Sequence, residues 1–78
     1  MTVMGEVRVL LKVRGYWERE VRVPRGTRIR DILLGVGLNP VEVVVTLRGE
    51  PVPEDERVTS DVELEVYPVV PLVEWHGV

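Results

Sequence analysis

Residues 6–14 place Val7, Val9, Leu11 and Val13 on one face and Arg8, Leu10, Lys12 and Arg14 on the other, and after Gly15 the alternation resumes over residues 17–23. A period of two is the signature of a strand with one face buried and one in water, and two such runs joined by a short turn make a hairpin. A hairpin cannot bury its apolar face alone, so the rest of the chain has to cover it.

The cover is short. After Pro24-Arg25-Gly26, the apolar residues Ile29, Ile32, Leu33 and Val36 follow the i, i+3, i+4, i+7 spacing of an amphipathic helix. Thr27 is placed to cap its N-terminus, Asp31 suits the positive end of its dipole, and Gly35 and Gly37 close it after about ten residues. Asn39-Pro40 reads as a second cap with proline in the first helical position, leading into an apolar strand over residues 43–48. Pro51 and Pro53 confine the next segment to a sheet edge, and Glu54-Asp55-Glu56 forms a solvated turn. A last strand over residues 62–67 alternates Val62, Leu64 and Val66 with Glu63, Glu65 and Tyr67. The order is hairpin, helix, strand, edge, strand: an α+β chain whose mixed four- to five-stranded sheet is covered by one main helix.

With strand one between strands two and five, the outward Arg8, Lys12 and Arg14 lie between Glu18 and Glu20 on one side and Glu63 and Glu65 on the other. On this outer face the alternation also sets Leu10, Val44, Thr46 and Tyr67, an apolar patch among charges. Together with Arg8 and Trp75 these are the candidate partner-binding residues, and Tyr16 and Trp17 at the hairpin turn are candidate anchors.

Seventy-eight residues hold one domain and no deep cleft. The absence of cysteine excludes disulfides and thiolate metal sites. His76, the single histidine, has no partner residue near it in sequence for a metal or triad, so no metal, cofactor or catalytic residue is expected and the chain is not read as an enzyme. Thr59-Ser60-Asp61 reads as a turn before the last strand. A net charge of -3 with acids and bases interspersed argues against nucleic acid as partner. No apolar stretch reaches membrane-spanning length and residues 1–5 lack the pattern of a signal peptide, so a cytoplasmic protein is expected. Nine arginines against one lysine, with one asparagine and no glutamine, lean towards a thermophilic source.

Several segments resemble the ThiS/MoaD family of ubiquitin-like sulfur carriers and the small archaeal modifiers related to them. Residues 23–33, Val-Pro-Arg-Gly-Thr-Arg-Ile-Arg-Asp-Ile-Leu, are similar to that family's strand-to-helix segment, and residues 37–40, Gly-Leu-Asn-Pro, to its post-helix turn. Residues 48–53 look like its Asn-Gly turn, residues 61–66 like its last strand, and Pro68-Val69-Val70 like the lead into its tail. The resemblance spans residues 6–70 and implies a β-grasp, ubiquitin-like domain over residues 1–70 with a tail over residues 71–78. It further implies that the chain is the substrate of an adenylating activating enzyme or a sulfur-transfer enzyme, in thiamine, molybdopterin or related sulfur transfer, or a protein modifier.

The tail departs from the family. Its members end in Gly-Gly, which threads the activating enzyme's channel because neither residue carries a Cβ. Residues 71–78 read Pro-Leu-Val-Glu-Trp-His-Gly-Val. Gly77 becomes the candidate activation residue only if Val78 is removed. The alternative reading is a non-conjugating β-grasp interaction module, and in either case association of two copies is possible.

Overall fold

The structure is a computed structural model and describes residues 5–69. The hairpin forms as the alternation requires: β1 (Glu6–Val13) runs antiparallel to β2 (Trp17–Pro24). Then follow β3 (Thr27–Arg28), α1 (Ile29–Gly35), a short 3-10 helix (Pro40–Glu42), β4 (Val43–Leu47), β5 (Glu50–Val52), β6 (Arg57–Val58) and β7 (Val62–Pro68). The main sheet has the order β2-β1-β7-β4-β5. β7 returns to its centre, parallel to β1 and antiparallel to β4, which makes the sheet mixed and the fold a β-grasp.

One face of this sheet is dry. Val7, Val9, Leu11 and Val13 of β1, Val45 of β4 and Leu64 and Val66 of β7 are buried against Ile29, Ile32 and Leu33 of α1, with Leu38 and Val58 closing the ends. Valine and leucine in strict alternation are what a single short helix can cover, and burial of each such side chain stabilises the fold by roughly 1.5–3 kcal/mol.

The helix differs from its sequence reading at both ends. It spans seven residues rather than about ten, because Val36 is the C-cap and Gly37, at φ +89°, takes the left-handed position that closes it. The Gly37 and Leu38 N–H groups donate to Leu34 and Leu33 carbonyls at 3.1 and 2.9 Å, and Leu38 packs into the core. At the N-terminus Thr27 is not the cap. Its hydroxyl donates to the Pro24 carbonyl at 2.6 Å, and Arg28 holds the cap position without a side-chain bond.

The N-terminal amides are satisfied from a distance instead. Ile29 and Arg30 N–H donate to the carbonyls of Glu56 and Glu54, each at 2.9 Å, so the acidic turn caps the helix through its backbone. The two-residue strands β3 and β6 pair just before this point and fix that turn against the helix, a second small sheet that the sequence reading lacked.

Other local readings hold. Asn39 caps the 3-10 helix by accepting from Val41 N–H at 3.1 Å, with Pro40 behind it. β5 is a sheet edge carrying Pro51. Arg48 and Gly49 link β4 to β5 with φ of +55° and +83°, the two-residue turn that matches strand twist.

Candidate functional site

The face of the sheet away from α1 carries the candidate site. Parity fixes it: residues of β1 with even numbers point outward, and β7 lies beside them with Asp61, Glu63, Glu65 and Tyr67 outward too. Three ion pairs cross from β1 to the β7 side, Arg8–Asp61 at 3.5 Å, Lys12–Glu63 at 2.9 Å and Arg14–Glu65 at 3.8 Å. Lys12 and Arg14 reach back along β7, since the residue directly opposite Lys12 is Glu65.

Each pair leaves an electrostatic trace. The Glu63 carboxylate accepts a hydrogen bond from the Lys12 ammonium and holds its pKa above the usual lysine value. Asp61 is held below the usual carboxylate value, chiefly because it accepts the Arg8 backbone N–H at 2.8 Å. That bond ties the segment before β7 to the start of β1. The Tyr67 hydroxyl donates to Glu65 at 2.7 Å, which raises its pKa, and it accepts from the Arg14 guanidinium at 3.4 Å. The same guanidinium lies 5.5 Å from the Tyr67 ring centre.

The expected sandwich of cations between two acidic strands is half right. On the β2 side Lys12 faces Glu18, but Leu10 faces Glu20 and Arg8 faces Arg22, so the ion pairs form on the β7 side alone among the described residues.

The candidate partner-binding residues divide into two places. Val44 and Tyr67 are direct neighbours across β4 and β7, and Thr46 is next along, opposite Glu65. Leu10 is beside Glu63, separated from Val44 by the width of β7 and by roughly 13 Å along it. Arg8 is farther still, so Arg8 and Leu10 form a charged corner with Glu20 and Asp61 rather than part of the apolar patch.

Val69 joins the patch in their place. Its N–H donates to the Glu42 carbonyl at 2.9 Å, which extends the β4–β7 register and sets its side chain on the Tyr67 face. Val44, Tyr67 and Val69 are 42%, 37% and 56% exposed. Sequence reading placed Val69 in the lead to the tail; its signal was the alternation running past Pro68.

Thr46 contributes less to the surface than its parity suggested. It is half-buried, and its hydroxyl, fully covered, makes no hydrogen bond among the described residues. Tyr16 and Trp17 sit at the hairpin turn, where Arg19 lies 5.0 Å from the Trp17 ring centre. Trp75 and Gly77 lie outside the described residues. Among the described residues no cluster of histidine, cysteine and carboxylates is gathered that could hold a metal ion, and no helix is long and apolar enough to cross a membrane.

Solved structures define the class. A ubiquitin-like domain of an Arabidopsis thaliana protein superposes with a TM-score of 0.67 at 16% identity, covering 97% of this chain and 90% of that one. A de novo protein designed on ubiquitin gives 0.63 at 15%, covering 96% and 99%. A chain of a phosphorylated parkin, phosphorylated ubiquitin and UbcH7 complex gives 0.66 at 14%, covering 86% of this chain but 24% of that longer one. At such identities these likenesses establish the ubiquitin-like fold alone.

The family is narrower. Residues 7–70 match the model of small archaeal modifier protein 2, and the chain belongs to that family. It is thus a ubiquitin-like protein of the general modifier and sulfur-carrier kind.

Proposed function

We propose that this chain is the substrate, not the catalyst, of an adenylating activating enzyme, carrying sulfur or joining a target through its tail and engaging that enzyme through Val44, Tyr67, Val69 and Arg14. The supporting observation is positional. The exposed apolar patch lies at the end of β7, the strand that leads into residues 70–78, so an enzyme holding the patch has the tail delivered beside it. Aromatic and aliphatic groups ringed by charges suit such a contact, with Arg14 already fixed by Glu65 and Tyr67.

The reacting group is a C-terminal carboxylate. Attack of its oxygen on the α-phosphorus of ATP gives an acyl-adenylate and releases pyrophosphate. The outer sulfur of a persulfide donor then attacks the acyl carbon and expels AMP, giving an acyl disulfide. A second thiol of the donor cleaves its S–S bond, becoming oxidised to a disulfide as the thiocarboxylate leaves. A lysine amine instead attacks the acyl carbon to give an amide, AMP and a proton. Gly77 is the candidate for this carboxylate after loss of Val78. Intact-mass analysis of the protein from its native host is expected to find chains ending at Gly77, some with sulfur in place of oxygen or joined to another protein. Val78 retained in every form contradicts conjugation at Gly77 and leaves the reading in which the same patch serves a non-conjugating interaction module.

A further inference from the structure

The main sheet has two edges, and they differ. β5 is three residues long and carries a proline, which blunts it. β2 is eight residues long, and its proline stands only at the end. The backbone bonds tell which of its groups are free. Arg14 N–H donates to the Val66 carbonyl at 3.0 Å, so the even-numbered residues of β1 bond towards β7 and the odd-numbered ones towards β2.

Arg25 N–H donates to the Gly5 carbonyl, in the same register and with the same parity. Val21 and Val23 therefore bond to β1. The N–H and C=O groups of Glu18, Glu20 and Arg22 point away from the sheet, and among the described residues nothing pairs with them.

The side chains there are incomplete in the same way. Glu20 stands opposite Leu10, and Arg22 stands opposite Arg8, a like-charge pair. Arg8 turns to Asp61, and neither Glu20 nor Arg22 forms an ion pair among the described residues. On the other face of the strand, Val21 and Val23 are only half-buried at the rim of the core.

We propose that β2 is a self-association surface, pairing antiparallel with β2 of a second copy about a twofold axis through Val21. This register pairs the free backbone of Glu20 and Arg22 and gives both side chains an opposite charge without setting any like charges against each other. Glu20 and Arg22 of one copy exchange both backbone bonds with Arg22 and Glu20 of the other, and their side chains become opposite-charge neighbours twice over. Glu18 N–H reaches the Pro24 carbonyl of the second copy, where the missing proline N–H ends the ladder. On the core face Val21 meets its own counterpart and Val23 meets Arg19, whose guanidinium is held back over Trp17. A shift of the axis to Glu20 would set that carboxylate against itself, so the charges select the register. The second copy is the occupant they specify, because a β2 sequence is the complement of β2.

The test is sedimentation equilibrium of the full 78-residue chain from micromolar to millimolar concentration, with charge variants. The wild type is expected to form a reversible dimer. E20R and R22E each create two like-charge pairs and should weaken it at least about tenfold, while circular dichroism stays unchanged because both side chains are exposed. An equimolar mixture of E20R and R22E restores every pair and should form a heterodimer tighter than either homodimer. Amide exchange at Glu18, Glu20 and Arg22 should slow as the dimer forms. A wild-type chain monomeric at millimolar concentration, or a dimer that both variants leave unchanged, overturns the proposal; the first outcome leaves the edge open to an extended segment of another protein.

Discussion

The two faces of the central sheet are made by the same strands and do different work. Along β7, Leu64 and Val66 are sealed under α1, while Glu65 and Tyr67 between and beyond them hold ion pairs and hydrogen bonds in water. The inner face is governed by volume and shape, because a buried methylene has nowhere else to go. The outer face is governed by charge and hydrogen bonding between side chains that solvent also reaches, where ion pairs contribute little to folding. Stability is therefore expected to be sensitive on one face, and recognition on the other.

The largest effect should come from the inner face. Leu64→Ala empties a fully buried position in the central strand and should lower the unfolding free energy by about 2–5 kcal/mol. Tyr67→Ala, three residues away, should cost far less, and chemical denaturation of both variants measures the contrast. Equal losses would break the division between the faces.

Thr46 sharpens the boundary. Its covered hydroxyl finds no partner among the described residues, so Thr46→Val, which keeps the shape and removes the polar group, should be neutral or stabilising by up to about 1 kcal/mol in the same measurement. A loss of stability would mean that the hydroxyl is satisfied in solution.

The smallest effect lies on the outer face at acid pH. Asp61 has a pKa below the usual carboxylate value when folded, so its contribution is present above the unfolded value and is lost as pH falls through the folded one. Asp61→Asn keeps an oxygen to accept the Arg8 N–H but loses the charge. The stability difference between wild type and this variant should thus be seen near neutrality and vanish on the acid side of the ordinary carboxylate range. A difference that persists there would show that the charge is not its source.

Much of this architecture was legible in the chain because burial writes itself into alternation. The hairpin, β7 and the helix core of Ile29, Ile32 and Leu33 all followed from periods of two and 3.6, and β4 from an apolar run closed by turn residues. What escaped were features that depend on distant backbone. Thr27 looked like a cap by its neighbours alone, yet the helix amides are met by carbonyls of residues 54 and 56, brought in by tertiary folding. β3 and β6 are too short to show any period.

The candidate site was read less well for a related reason. Parity assigned Arg8, Leu10, Val44, Thr46 and Tyr67 to one face, but only strand order and register reveal that Leu10 and Val44 lie far apart on it. Val69 was hidden because a proline interrupts its strand. The free polar edge of β2 needs the same knowledge, since an edge is a property of the sheet and not of the strand.

The outer face at the end of β7 is the proposed docking surface for an adenylating enzyme. NMR titration of isotopically labelled protein with an adenylating enzyme of the same host, in ATP, tests it directly. Shifts and broadening are expected to concentrate at Arg14, Val44, Tyr67 and Val69, with Leu34 on the exposed side of α1 unaffected. Perturbation centred on Leu34 and α1, with the outer face silent, would contradict it.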